Sequence, residues 1–236
     1  VGFTVVAIGT SLPELAVALE AVGNDTPDIA VGGVLGSNVA NVMLVLGTAA
    51  VLGAASDPGP GVRRDAIAVA VATAILLATV LIGKITSQFG VLMLLGLAAY
   101  YTYSYLTSKA EGGDVEDSKS WLPENVLLAI PTTAVGGYMI WTGAGMLVEG
   151  ATGLAIGYGI SESVIGLSVV ALGTSLPELA VTLVAGLRGQ GGVAVGNILG
   201  SNVINILGIL GLASAYAGGI IIAPEFAGRD IWVVVL

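Results

Sequence analysis

The sequence has no cysteine and no histidine among its 236 residues. Without cysteine there is no disulfide frame and no thiolate metal site. Without histidine there is no imidazole base, no zinc triad and no HExxH motif. Most enzyme mechanisms thereby lose their usual acid–base group. Charge is scarce as well. Asp, Glu, Lys and Arg make up 10% of the chain, against about 25% in a soluble domain. That is too little polar surface to coat a water-soluble globule of this size. It also excludes disorder, which needs a charge-rich, apolar-poor chain. Seven Lys and Arg stand against sixteen Asp and Glu, so there is no basic patch to meet a nucleic acid.

What is abundant is apolar. Hydrophobic residues reach 56%, and the mean hydropathy is +0.98. The 36 glycines suit closely packed membrane helices. The expected fold class is all-α, a polytopic transmembrane helical bundle. Apolar runs near spanning length fall at 1–21, 28–54, 65–83, 88–107, 125–148, 159–186 and 192–217, with a last run opening at 230. The chain starts inside an apolar run at Val1 and stops inside another at Leu236, so both ends are expected to be cut. The polar stretch 108–124 reads as a short solvated linker. It divides the chain into a first half, 1–107, and a second half, 125–236.

An internal repeat organises the chain. Residues 2–17 (GFTVVAIGTSLPELAV) and 166–181 (GLSVVALGTSLPELAV) agree at 13 of 16 positions, at an offset of 164. Residues 31–47 and 195–211 agree at ten of 17, at the same offset. Arg64-Asp65 and Arg229-Asp230 correspond at an offset of 165. Five apolar runs separate the start of one copy from the start of the other. Five is odd, so equivalent helices should cross the membrane in opposite senses, as in inverted-repeat transporters. The loops near 54–65, 108–124 and 187–191 should share one side and hold Arg63, Arg64, Lys109, Lys119 and Arg188. The other side holds Lys84 and Arg229. Five against two places the first set in the cytoplasm.

GTSLPE occurs twice, ending in Glu14 and Glu178, each near the middle of its apolar run. A carboxylate there costs about 2.5–3.5 kcal/mol. No Lys or Arg lies within 1–21, 28–54, 159–186 or 192–217 to compensate. The positive charge must come from a mobile cation or from bound protons. The bland alternative puts each Glu at a helix end, reaching the headgroups. That reading is preferred for Glu20, Glu149 and Glu162, beside expected helix ends, but not for Glu14 and Glu178. Pro13 and Pro177 each lack an N–H, which frees the carbonyls of Gly9 and Gly173 and disturbs those of Thr10 and Thr174. Broken helices are tolerated at membrane depth where they line a cavity. A plain kink with Thr10 or Ser11 back-bonding is the competing reading.

Helical spacing aligns further oxygens. Thr10, Ser11 and Glu14 share one face, as do Thr174, Ser175 and Glu178. Ser37 with Asn41, and Ser201 with Asn205, are i,i+4 pairs. The donors are all oxygens, which suits Ca²⁺, Mg²⁺ or Na⁺. A dry site drawn from four helices favours Ca²⁺ over Mg²⁺, which keeps its waters. These Ser and Asn residues could instead serve as interhelical hydrogen-bond glue, the preferred reading for Asn38 and Asn202. Gly32/Gly36 and Gly196/Gly200 form small-xxx-small pairs for close helix approach.

The doubled GTSLPE and GSNxxN blocks resemble the α-repeats of the cation/Ca²⁺ exchanger superfamily, Na⁺/Ca²⁺ exchanger type, over nearly the whole chain. The resemblance implies ten transmembrane helices in two inverted halves. The first helix, most of the ninth and all of the tenth would then lie outside this sequence. It implies that Glu14 and Glu178 bind Ca²⁺, helped by the Thr10 and Thr174 carbonyls. It also implies Na⁺ sites using Ala7, Ser11, Ser37, Ala171, Ser175 and Ser201, with Asn41 and Asn205 at the centre. Some relatives, notably K⁺-dependent ones and certain prokaryotic ones, carry Asp where this chain has Asn205. That difference argues against K⁺ dependence. Residues 108–124 are too few for the large regulatory domain of animal relatives.

The expected activity is secondary active antiport of Ca²⁺ against Na⁺ by alternating access. Ca²⁺ and Na⁺ are substrates rather than cofactors. H⁺/Ca²⁺ antiport is the close alternative, because two protons would neutralise the same pair. A cation channel is more remote, since its filter would be a ring in an oligomer rather than paired sites in one chain. An enzyme is not expected, for want of His, Cys or an Asp inside the motif helices. The protein is expected to lie in lipid as a multi-pass protein of the plasma (inner) membrane, to act as a monomer and to bind no nucleic acid.

Overall fold

The computed structural model describes residues 7–56, 59, 61–110 and 126–235. The sequence-level linker, 108–124, lies outside the described residues except for 108–110, which continue a helix. Residues 7–10 are helical and lead through Ser11 into α1 (Leu12–Gly23). Then come α2 (Pro27–Val51) and α3 (Val62–Ile82), β1 (Lys84–Thr86) and α4 (Ser87–Ala110). The second half holds α5 (Val126–Tyr158), α6 (Glu162–Thr174), α7 (Leu176–Leu187) and α8 (Gly191–Tyr216). It ends with β2 (Gly219–Ile221) and α9, residues 224–235. The all-α expectation holds apart from one small addition. Strands β1 and β2 form an antiparallel pair, Ile85 opposite Ile220, joining the two halves at one end.

Among the described residues, helices α2, α3, α4 and α8 are each long and apolar enough to cross a membrane, and α6 and α7, bent by 41° at their junction, are so when taken together. These boundaries match the apolar runs within a few residues, because a run of about 20 apolar residues has few folds other than a spanning helix. The exception is α5. Its run stops at Glu149, yet the helix continues to Tyr158, 33 residues in all. Glu149 is therefore not at a helix end. It is exposed on the flank of a long helix. Glu162 does open a helix, as expected.

Burial separates centre from periphery. In α2 and α8, 72% and 83% of the apolar window is buried, against 22% in α3 and 17% in α4. The outer helices instead present Ile67, Val71, Leu92 and Leu95 outward, an apolar surface that suits lipid. Between the halves α2 packs directly on α6. A Cβ on Gly32 would lie 2.8 Å from Ser163 O, and one on Gly166 would lie 2.9 Å from Ile29 O. Two helix backbones can come this close only where side chains are missing.

Loop contacts fix the topology. The α2–α3 turn meets the α7–α8 turn: Gly186 packs on Leu52 and Ala54, and Gly59 on Gly192. At the other end β1 pairs with β2, and Asp28 lies against the Ala223 amide and near Glu162. So α1 runs toward the β1/β2 end, while its repeat equivalent, α7, runs away from it. The repeats are inverted. Arg64 and Asp65 pair at 2.7 Å at the start of α3, where Tyr100 Oη also donates to Asp65. Arg229 and Asp230 repeat the pair in α9.

Gly32→Ala should destabilise the protein by about 1–3 kcal/mol through overpacking. Gly47→Ala, where a Cβ meets nothing within 4 Å, should be neutral or slightly stabilising. Thermal melts of the two variants in detergent check this contrast.

Candidate cation site

The site forms where the GTSLPE segments break. Ser11 has φ −85°, ψ 5°, and Ser175 has φ −83°, ψ 3°, so the same residue leaves helical geometry in both repeats. Pro13 and Pro177 sit at the second position of α1 and α7, where a missing N–H costs little. Each break creates a new helix N-terminus at membrane depth. Glu14 and Glu178 lie in the first turn of α1 and α7. There the positive end of the helix dipole favours a carboxylate by about 0.3–2 kcal/mol. Composition gives no hint of this compensation. It comes from the bend.

Both carboxylates are buried, Glu14 at 4% and Glu178 at 0% exposure, and they are close enough to repel each other. Each has one oxygen tied to the serine of the next helix in its own repeat. Ser37 donates to Glu14 Oε1 at 3.1 Å, and Ser201 to Glu178 Oε1 at 3.3 Å. The bends, however, cross over. Ser11 donates to Glu178 Oε1 at 3.3 Å, and Thr10 also sits beside Glu178. Thr174 sits beside Glu14, and Ser175 meets Ser37 Oγ at 2.7 Å. The expected grouping of Thr10 and Ser11 with Glu14, and of Thr174 and Ser175 with Glu178, is thus corrected. Helical spacing assumes an unbroken helix, and the break at Ser11 and Ser175 turns the hydroxyls toward the opposite repeat.

The Ala7 and Ala171 carbonyls are already engaged. Ala7 O accepts from Ser11 N (3.1 Å) and Thr10 Oγ1 (3.3 Å). Ala171 O accepts from Ser175 N (3.1 Å) and Thr174 Oγ1 (3.3 Å). Thr10 and Thr174 therefore do back-bond, in addition to flanking the acids.

Asn41 and Asn205 lie at the centre, fully buried. Asn41 Nδ2 donates to Asn202 Oδ1, and Asn205 Nδ2 donates to Asn38 Oδ1, both at 3.0 Å across the repeats. Asn38 and Asn202 are thus hydrogen-bond glue, as expected. Asn205 Nδ2 also donates to Ser37 Oγ at 3.2 Å, which an Asp at this position could not do. Both central residues lie in π-helical stretches, Asn41–Leu46 and Ile204–Leu210. Such widened turns recur at functional sites, and nothing in the apolar pattern announces them.

Among the described residues, four acceptor oxygens at this centre remain without a donor: Glu14 Oε2, Glu178 Oε2, Asn41 Oδ1 and Asn205 Oδ1. Unpaired buried oxygens cost free energy unless something fills them. Among the described residues no group of three or more Asp, Glu, His or Cys side chains could hold a metal. A cation here would rest on two carboxylates and neutral oxygens. Sequence reasoning missed Asn197, which accepts from Thr10 at 3.4 Å, and Thr182, whose hydroxyl is buried without a partner. Both stand where the first repeat has a small residue, and that mismatch was the available signal.

Inverted repeats, paired broken helices and buried midspan acids define a polytopic membrane transporter. The family described as sodium/calcium exchanger protein matches residues 1–106 and 128–236. The inner membrane protein YrbG of Escherichia coli K12 is 35% identical over 100% of this chain and 74% of its own length. The sodium/calcium exchanger MaX1 of Methanosarcina acetivorans is 31% identical over 92% and 73%. Among solved structures, the sodium-calcium exchanger NCX_Mj soaked with Na⁺ and Sr²⁺ matches with a TM-score of 0.67 at 29% identity, over 99% of this chain and 75% of that one. The chain belongs to the sodium/calcium exchanger family, a family of membrane transporters.

Ser37 holds Glu14, Ser175 and Asn205 together, whereas Ser201 contacts Glu178. Ser37→Ala should therefore lower unfolding stability by about 2–3 kcal/mol, and Ser201→Ala by about half as much. Parallel melts of the two purified variants measure the difference.

Proposed function

We propose that the protein is a secondary active antiporter that exchanges Ca²⁺ against Na⁺ by alternating access. The observation that carries this reading is the set of four unpaired acceptor oxygens on Glu14, Glu178, Asn41 and Asn205. Two carboxylates give the centre a formal charge of −2, which one Ca²⁺ or two monovalent cations neutralise. Ca²⁺ would take the two Oε2 atoms, with the Thr10 and Thr174 carbonyls. Na⁺ would use Ser11, Ser37, Ser175 and Ser201. The Ala7 and Ala171 carbonyls would join it only by giving up a hydrogen bond each. Asn41 and Asn205 would offer Oδ1, their amide nitrogens being held by Asn202 and Asn38.

Strict exchange follows from the electrostatics. An ion-free pair of buried carboxylates is costly to carry through the occluded barrier. The loaded forms are not, so conformational change is confined to them. The protein would work as a monomer in the plasma (inner) membrane, its halves 1–107 and 125–236 joined by a cytoplasmic linker, 108–124. Downhill Na⁺ entry would then drive Ca²⁺ export.

In proteoliposomes, an outward Na⁺ gradient should drive ⁴⁵Ca uptake, and a pH gradient without Na⁺ should not. The reverse result would make the protein an H⁺/Ca²⁺ antiporter. Glu14→Gln and Glu178→Gln should each abolish flux, a loss of at least about 100-fold if a charge-assisted contact of some 3 kcal/mol is removed. Full Na⁺-dependent flux in either variant would refute the site.

A further inference from the structure

Close to the two acids, two repeat mismatches exchange a small residue for a polar one. Ala18 corresponds to Thr182, and Gly33 to Asn197. Both polar members belong to the second repeat, and both are fully buried at 0% exposure. Thr182 lies one turn after Glu178 on α7, and Asn197 one turn before Ser201 on α8. In the first repeat, Ala18 and Gly33 border a cavity of about 10 Å³ beside Glu14 and Thr174, roughly the room for one water. In the second repeat the equivalent positions carry the Thr182 and Asn197 side chains.

The mismatch reaches the bends. Thr10 Oγ1 donates to Asn197 Oδ1 at 3.4 Å, across the repeat boundary, and to Ala7 O at 3.3 Å. Thr174 has no such amide. It donates to Val170 O at 3.1 Å and Ala171 O at 3.3 Å. A hydroxyl has one proton and two lone pairs. Thr10 also sits beside Glu178, so its proton has a competing acceptor of greater strength, the carboxylate. While the proton points at Asn197, Glu178 Oε2 stays without a donor and open to a cation. Asn197 Nδ2 is itself buried without a partner among the described residues.

We propose that Asn197 is a positioning residue for cation binding on the Glu178 side of the site. It aims the Thr10 O–H away from the carboxylate, and it makes the two halves of the centre chemically unequal. The inference rests on the exchanger reading above.

The test uses the full chain in liposomes and two assays. Na⁺-driven ⁴⁵Ca uptake requires monovalent binding, while Ca²⁺/Ca²⁺ exchange without Na⁺ does not. Asn197→Ala should raise the Na⁺ concentration for half-maximal uptake roughly 3- to 10-fold. The Ca²⁺ concentration for half-maximal Ca²⁺/Ca²⁺ exchange should rise as well, because Ca²⁺ takes the same Glu178 Oε2. In a Thr10→Val background Asn197→Ala should add no further shift, since the proton it steers is gone. Asn197→Ser, whose oxygen falls a bond short of Thr10, should reproduce the Asn197→Ala shift, and it carries the test if the alanine variant does not fold. An unchanged half-saturation in both assays, a fall in maximal rate at unchanged half-saturation, or a shift that persists in Thr10→Val overturns the proposal. A wild type without Na⁺-driven uptake sinks the exchanger reading itself, and this inference with it.

Discussion

Two negative charges buried side by side, with no basic residue on their own or neighbouring motif helices, set the terms for the rest of this structure. At roughly 2.5–3.5 kcal/mol each, Glu14 and Glu178 would weigh heavily against a fold whose net stability is of the order of 5–15 kcal/mol. The protein offsets part of this with fixed dipoles. Breaking two helices places an N-terminus under each carboxylate, and serine hydroxyls from α2 and α8 hold one oxygen of each. The second oxygen is left unpaired. Compensation is thus incomplete, and each acid keeps one oxygen for the cation proposed above.

The packing serves that arrangement. Helices α2 and α8 are buried along most of their length because they carry the serines and asparagines that face the acids. Glycines let α2 lie backbone to backbone on α6, which brings Ser37 within 2.7 Å of Ser175. Helices α3 and α4 need only cover this centre, and their outward faces are correspondingly apolar.

Much of this was legible in the sequence. The duplicated GTSLPE and GSNxxN blocks located the acids, the breaks and the glue asparagines, because Pro and midspan Glu each have few physical interpretations in a bilayer. The parity of the apolar runs gave the inversion. What stayed hidden depended on geometry that a wheel of regular helices cannot represent. Ser11 reaches Glu178 rather than Glu14 because the chain is not helical at Ser11. Asn41 and Asn205 lie in π-helical turns that leave no mark on hydropathy. Helix α5 runs on past Glu149 because one exposed charge does not stop a helix, although it does stop an apolar run. Thr182 and Asn197 were visible only as disagreements between the two copies.

The crossed hydroxyls carry a consequence for ancestry. Glu178 is dressed by Ser11, and Ser37 by Ser175 and Asn205, so one repeat alone contains no finished coordination sphere. Before the two copies were fused, a half-length progenitor would have had to insert in both orientations and meet its own antiparallel twin to bind anything. Fusion would make that encounter permanent, and in the fused chain the copies differ at Gly33 and Asn197.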